Sequence, residues 1–344
     1  MGPEVRKVRL SMGEVPVVSD SQVAEVLSST VETFRWVNSL TREVLSRVGE
    51  LVFDKLSIYV PTSDPDYPTK VRTMAGAWGR YTCVRSFAAN ERNRAKGRRL
   101  STNLCAVFDS ETTELVAVME GNLISDFRTA SIAAVGVEAC VTAWGRSGGD
   151  YEASVLGSTG AVGRRVILAL SALRARPRRV LLAAKSRGRF NTVRERLAQM
   201  ASELDPEVGE ALELVPCETL DEALSADVVV DCISLPGKMP AGLVRELGEE
   251  VIYADVGKHS LDLNLASKFD TYVFDSLDLR KMPSPATFAL KIRTMLTDRR
   301  FRVLELADVV RGERVGRRVL YTVLGVPAVD AALTQAILER LGLI

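Results

Sequence analysis

The chain has 344 residues, of which 47% are hydrophobic and 26% charged, with a formal net charge of +1. That length buries a sizeable core in one or two domains, and the balanced charge offers no global field for nucleic acid or an anionic membrane. No apolar run reaches the ~18 residues of a membrane span, and the opening Met-Gly-Pro-Glu-Val-Arg-Lys-Val-Arg has no apolar signal-peptide core, so a cytoplasmic protein is expected.

In chain order, residues 15–19 read as a short strand ended by the helix-cap pair Ser19-Asp20. From 22 to 48 the apolar positions step by three and four, which predicts one long amphipathic helix or two in sequence. Residues 51–60 alternate as a strand, and 63–68 (Ser-Asp-Pro-Asp-Tyr-Pro) form a turn-rich connection. Further strands are expected at 81–88, 104–108 and 115–119, the last two joined by a hairpin-length polar loop. At 124–130 (Ile-Ser-Asp-Phe-Arg-Thr-Ala) the pattern changes. Ser125 or Asp126 can cap a nearly chargeless helix running to Ala143, a composition that buries most of its sides.

The stretch from Glu152 is organised around Gly157-Ser158-Thr159-Gly160-Ala161-Val162-Gly163. A short apolar run precedes it, an apolar-periodic segment follows to Leu173, and a second buried-strand pattern spans 179–184. Strand, glycine turn, helix and strand at this spacing make a dinucleotide-binding βαβ unit. A pyrophosphate must approach backbone N–H groups at the helix start, where a Cβ would block it. The pattern is GxxGxxG, one residue longer in its first gap than GxGxxG. After the second strand comes Lys185-Ser186-Arg187, where an NAD site places an acidic residue for the ribose. Cations and hydroxyls there suit a 2′-phosphate, so NADP is expected, with NAD possible and a solvated basic turn as the alternative.

Beyond it, helices are expected at 190–201, 220–224 and 241–247, with strands at 212–215, 228–233 and 251–255 and a last strand at 271–274. Alternating strands and helices imply a parallel sheet covered on both faces. Two tail helices, 287–310 (broken near Asp298) and 329–341, flank a basic turn at 312–318. The cysteines at 83, 105, 140, 217 and 232 form no CxxC pair. Reduced buried thiols are expected, and no metal site.

Arg128 is the leading substrate-binding candidate. Read as a first-turn residue, its charge opposes the helix dipole unless an anion binds there. A substrate carboxylate supplies that anion; the alternative is an ion pair with Asp126 or Glu120. Arg85, on an alternating strand, is a second carboxylate clamp suited to a dicarboxylate or bulky amino acid, or else an exposed strand arginine. His259, the single histidine, follows a strand end, where open α/β sheets bind ligands, and can exchange a proton near neutral pH. Asp255 and Lys258 are the fallback acid/base residues. Ser234 closes another strand near the expected cofactor, or is a turn serine.

Four stretches resemble the ornithine cyclodeaminase/μ-crystallin family: Val107-Phe-Asp109 through Glu120-Gly, Leu123 through Arg128-Thr129-Ala130, the glycine unit, and Glu305 through Asp330 with Gly312, Gly316-Arg317 and Leu324-Gly325. The resemblance implies a Rossmann domain at 130–310. It also implies an α+β substrate and dimerisation domain from 1–129 with 311–344, an overall α/β fold. It implies hydride transfer at the α-carbon of an amino or imino acid, a keto acid as the partner species, and a homodimer. Arg85 matches a family lysine, Lys55 and then Arg72 stand nearest the family's early substrate arginine, and Asp330 matches a position that orients the substrate amine or caps the last helix. Gly257 belongs to the implied cofactor contacts. His259 occupies the place of the cyclodeaminase aspartate. An amino acid dehydrogenase or imine reductase is therefore expected. Redox-neutral ornithine cyclodeaminase and a non-catalytic dinucleotide-binding protein are the alternatives.

Overall fold

The computed structural model describes residues 5–10, 13–184, 190–233, 247–257, 261, 263–277 and 301–344. Its first layer is a seven-stranded sheet, built from β1 (Arg6–Leu10), β2 (Gly13–Val18), β3 (Phe53–Val60), β4 (Thr69–Trp78), β5 (Tyr81–Ala89), β6 (Ser101–Asp109) and β7 (Leu115–Glu120). The order is β1-β2-β7-β6-β5-β4-β3, antiparallel except where β2 meets β7.

Register puts side chains of one face into rows across these strands. Lys55, Met74, Arg85 and Cys105 share a row, Ser57, Arg72, Phe87 and Asn103 the next, and Tyr59, Lys70, Ala89 and Ser101 the third. The helices Val31–Ser46, Asn122–Ala143 and Pro327–Arg340 pack together on this layer and its neighbour. The last lies over β4 and β5 so closely that a Cβ on Gly76 would stand 2.5 Å from the Pro327 backbone. On the opposite face Leu56, Ile58 and Leu104 are exposed.

The second sheet has eight parallel strands: β8 (Glu152–Leu156), β9 (Arg179–Ala183), β10 (Glu213–Pro216), β11 (Val228–Asp231), β12 (Val251–Asp255), β13 (Thr271–Phe274), β14 (Arg302–Glu305) and β15 (Arg318–Thr322). The order β10-β9-β8-β11-β12-β15-β13-β14 reverses direction between β8 and β11. This is the doubly wound arrangement of a Rossmann fold, whose ligands sit outside the strand C-termini at the reversal. The helix Asn122–Ala143 ties the two sheets together. Tyr321 of β15 lies against Gly136, where any side chain would collide with its ring, and its hydroxyl donates to Ile132 O at 2.9 Å.

Several expectations need correction. The 22–48 pattern needs none: it takes the second of its two expected forms, two helices in sequence, Asp20–Val26 and Val31–Ser46, with a capping box between Ser19 and Gln22 at the first. Strands β1 and β4 were not expected. β4 turns Lys70 and Arg72 towards the inner face, so it carries no simple apolar alternation. The buried helix starts at Asn122 without a side-chain cap, so neither Ser125 nor Asp126 caps it. Strand 271–274 is not the last, because β14 occupies part of the expected helix 287–310 and β15 lies between the two expected tail helices. The expected helix 241–247 lies almost wholly outside the described residues. The boundaries at 129/130 and 310/311 also cut across the fold. The first falls inside a helix, and β15 belongs to the parallel sheet rather than the substrate layer.

Candidate functional site

The glycine turn follows directly from local geometry. Gly157 has φ +82°, a left-handed conformation that favours glycine. The N–H groups of Gly157 and Ser158 both donate to Ala183 O, at 2.7 and 3.1 Å. The buried Ser158 hydroxyl donates to Val155 O at 2.5 Å and accepts from Ala183 N at 3.1 Å. Ser158 thus staples β8 to β9, and its polar groups are spent within the fold rather than turned to a ligand. A Cβ on Gly163 would collide with Gly157 O, whereas one on Gly160 would meet only that oxygen, at 3.2 Å.

The helix Ala161–Ser171 that follows has Gly160 as its N-cap and no side-chain cap. Among the described residues its Ala161, Val162 and Gly163 N–H groups have no acceptor. Such orphan donors, at the positive end of the helix dipole, suit a phosphate. Thr159 and Gly160 stand at the mouth of the turn. Gly157 packs on the backbone after β11, and a Cβ on Gly257 would collide with Ile233 O, so the ends of β8, β11 and β12 close on one another at the reversal. Lys185, Ser186, Arg187, Ser234, Lys258 and His259 lie outside the described residues. Asp255 is buried at the end of β12, in register with Asp231 and Thr322.

A second feature opens at the same sheet edge. A cavity of about 130 Å³ is walled on one side by Arg72, Arg85 and Phe87 of the seven-stranded sheet and by Arg128 of the buried helix. Its other wall is Val256, just after β12, and Val323-Leu324-Gly325, just after β15. Three arginines from three different elements therefore face the C-terminal edge of the parallel sheet.

Arg128 lies in the second turn of its helix, so a first-turn dipole conflict does not apply. Its anion comes instead from the returning helix: Asp330 Oδ1 stands 3.3 Å from Nε of Arg128 and 3.3 Å from Nε of Arg85. Asp126 pairs with Arg165, and Glu120 accepts from the Asp20 N–H, so neither is the partner of Arg128. Asp330 does not cap its helix, whose N-cap is Val326 with no side-chain bond. Arg85 is 1% exposed, correcting the reading of an exposed strand arginine, and also donates to Asn103 Oδ1 at 3.1 Å.

One carboxylate thus serves two guanidinium groups, and the cluster keeps a net positive charge. Burial lowers Arg128 to about 10, with Asp330 pulling it up and Arg85 pushing it down; it stays protonated at neutral pH. Lys55 is buried behind the cavity, where Nζ donates to Leu324 O at 2.8 Å. It holds a wall of the site rather than lining it.

Three contributors were given no site role by sequence reasoning. Asp275, buried just after β13, accepts from the N–H groups of Leu324 (3.0 Å) and Gly325 and so fixes that wall. Gly325 has φ +84° and leaves the space that Arg128 fills. Asn103 anchors Arg85. A usable signal existed for Asp275, since an aspartate closes or follows each of the apolar strands β11, β12 and β13.

Residues 51–143 match the model of the Ornithine cyclodeaminase/mu-crystallin family. That span contains two of the four stretches behind the expected resemblance. No curated protein matches the sequence. Among solved structures, the chain is similar to Thermococcus litoralis Delta(1)-pyrroline-2-carboxylate reductase in complex with NADH and L-proline, at 17% identity and TM-score 0.69 over 94% of this chain and 96% of that one. It is similar to an archaeal alanine dehydrogenase dimer with bound NAD, at 15% identity and TM-score 0.69 over 95% of each chain. It is also similar to the iminosuccinate reductase of Paracoccus denitrificans in complex with NAD+, at 18% identity and TM-score 0.69 over 95% and 97%. The chain therefore resembles this family in sequence over 51–143 and in fold over almost its whole length.

Proposed function

We propose that the chain is an NADP(H)-dependent oxidoreductase acting at the α-carbon of an α-amino or α-imino acid. One observation carries this reading. The uncapped helix start at Gly160 and the arginine cavity open on the same C-terminal edge of one parallel sheet, the cavity wall being the residues that follow β12 and β15. The family match and the cofactors bound by the similar structures support it.

Ala161, Val162 and Gly163 would hold a pyrophosphate by their N–H groups, with Thr159 at the turn's mouth and Gly257 leaving room beside it. The Lys185-Ser186-Arg187 stretch after β9 supports NADP over NAD. The nicotinamide, when bound, supplies the hydride donor or acceptor. Arg128 and Arg85 hold the substrate carboxylate by charge-assisted hydrogen bonds, and Asp330 fixes both guanidinium groups so that little reorganisation accompanies binding. The segment around the end of β12, with Asp255, Lys258 and His259, is assigned the proton transfer. Leu56, Ile58 and Leu104 on the open sheet face support a homodimer formed through that layer. Among the described residues no helix is long and apolar enough to cross a membrane.

The test is NADPH oxidation in the presence of short 2-oxo acids with ammonia or methylamine. Turnover of these pairs, and not of NADPH alone, supports the proposal. Ammonia release from ornithine with no net cofactor change would replace it with a cyclodeaminase, and cofactor binding without any turnover would leave a binding protein. Light scattering that finds a monomer at micromolar concentration would overturn the dimer.

A further inference from the structure

The cations in and beside the cavity outnumber what one carboxylate needs, and they fall into two groups. Arg85 and Arg128 share Asp330 at the inner end. Arg72, which lines the cavity, stands one row outwards on the same sheet face, and Lys70, beyond the lining, one row further. Arg72 donates from Nε to Ser57 Oγ at 2.7 Å and stacks its guanidinium 5.8 Å from the Phe87 ring centre. Neither bond neutralises it. Among the described residues no carboxylate lies within ion-pair distance of Arg72 or of Lys70. Lys70 and Arg72 are half-buried on one strand, two residues apart, with their side chains on one face. Like charges so placed repel, and desolvation adds to the cost. Burial lowers both groups: for Arg72 the Tyr59 phenol opposes this and Arg85 adds to it, and for Lys70 the Arg72 charge adds to it and Glu91 opposes it, with Lys70 falling to about 8. An anion bound between them removes the conflict.

We propose that the cavity has two anion subsites, and that the substrate is a dicarboxylate: its α-carboxylate rests on Arg128 and Arg85, and its distal acid group on Arg72 and Lys70. This rests on the reading of the arginine cavity as the substrate site. Adjacent rows are separated by two residues, roughly 7 Å along the strand, a span that a short carbon chain bridges. Phe87 and Arg72 flank that path on one side, and Ser125 and Thr129 line it on the other. The guanidinium of Arg72, forked and already oriented by Ser57, offers its remaining N–H groups to a carboxylate in bidentate fashion.

The experiment compares glutarate with pentanoate, acids of equal chain length, by calorimetry on the full chain saturated with NADP+. Glutarate should bind roughly ten-fold more tightly or better, the size of one additional charge-assisted hydrogen bond. Arg72→Met and Lys70→Met should each reduce that preference without weakening pentanoate, and Arg72→Lys should keep part of it. Both sites are half-exposed, and thermal melting of each variant checks that the fold is intact. Equal affinity for the two acids, no binding of either, or an equal loss of both in folded Arg72→Met overturns the proposal. The enzymatic reading is judged separately. NADPH turnover with 2-oxopentanoate and not 2-oxoglutarate would retain the oxidoreductase and remove the second subsite. Arg72-dependent glutarate binding without turnover of any oxo acid would do the reverse.

Discussion

Gly325 stands where any side chain would collide with the Nη1 atom of Arg128. The guanidinium occupies the volume that a Cβ would need, and the left-handed φ of +84° keeps the chain clear of it. Asp275 maintains this arrangement by taking both the Leu324 and Gly325 N–H groups. The wall that bounds the cavity and the cation that charges it are therefore set by one buried carboxylate on a third element.

Asp275→Asn should accordingly act at a distance. The amide presents donors to N–H groups that need an acceptor, leaving a buried donor unsatisfied at a cost of about 1–3 kcal/mol. We expect a lower Tm and a higher KM, with NADP(H) affinity little changed. Gly325→Ala should raise KM further, by displacing Arg128 directly. Steady-state kinetics with cofactor titration as the control checks both; a loss confined to cofactor affinity would contradict the assignment.

Arg128 and Asp330 should separate in their signatures. Arg128→Lys keeps the charge but loses the fork, and Arg128→Ala loses both, so kcat/KM should fall roughly ten- to a hundred-fold or more. Asp330→Ala leaves two buried guanidinium groups without their shared anion, a destabilisation of about 3–5 kcal/mol. Added sulfate should recover part of that lost Tm, and should do much less for the parent chain. Unchanged turnover with lost stability in the Arg128 variants would reduce Arg128 to a structural ion-pair partner.

The glycines of the turn should divide by role. Gly163→Ala drives a methyl into Gly157 O and should unfold or strongly destabilise the chain. Gly160→Ala meets that oxygen only at 3.2 Å, so the fold should tolerate it while a phosphate at the helix start does not. The expected result is a near-parental Tm with NADP(H) affinity reduced roughly ten-fold or more. Intact affinity would move the phosphate site elsewhere.

Lys70 sets a pH dependence. Burial, then the Arg72 charge, lowers its ammonium from 10.5 to about 8, and Glu91 opposes this. Burial raises Tyr59 above 10, so the phenol stays neutral in this window. Bound diacid favours the protonated lysine, and above about 8 a proton must be taken up on binding. Diacid affinity should therefore fall as pH rises from 8 to 10, while monoacid affinity stays level. The folding linkage has the opposite sense. The unfolded chain binds more protons between about 8 and 10.5, so the Lys70 penalty is full below 8 and relieved as pH rises through that window. Calorimetry in buffers of differing ionisation enthalpy would detect the proton uptake, and its absence would remove Lys70 from the subsite.

What could be read beforehand followed the direction in which polar side chains point. The β8–β9 unit was legible because its strands are apolar on both faces and its glycines have steric causes. β3 was legible as a strand, but its faces are reversed from the usual reading: Lys55 and Ser57 are buried, while Leu56 and Ile58 are exposed. β4 escaped because Lys70 and Arg72 point inwards. Alternation assumes that apolar residues face the interior, and a charged cavity floor breaks that assumption. The Arg128–Asp330 pairing escaped for another reason. It joins residues 202 positions apart through a helix that returns across the sheet, and periodicity carries no information about such an approach.

The place of β15 has a consequence for synthesis. It is laid between β12 and β13, pairing with both, although it follows them in the chain. Until Arg318–Thr322 has left the ribosome, β12 and β13 each present an unpaired edge of buried-type residues. The nascent parallel-sheet half should depend on chaperones over that interval, and cutting the chain ahead of Arg318 should yield an aggregating fragment rather than a folded Rossmann module.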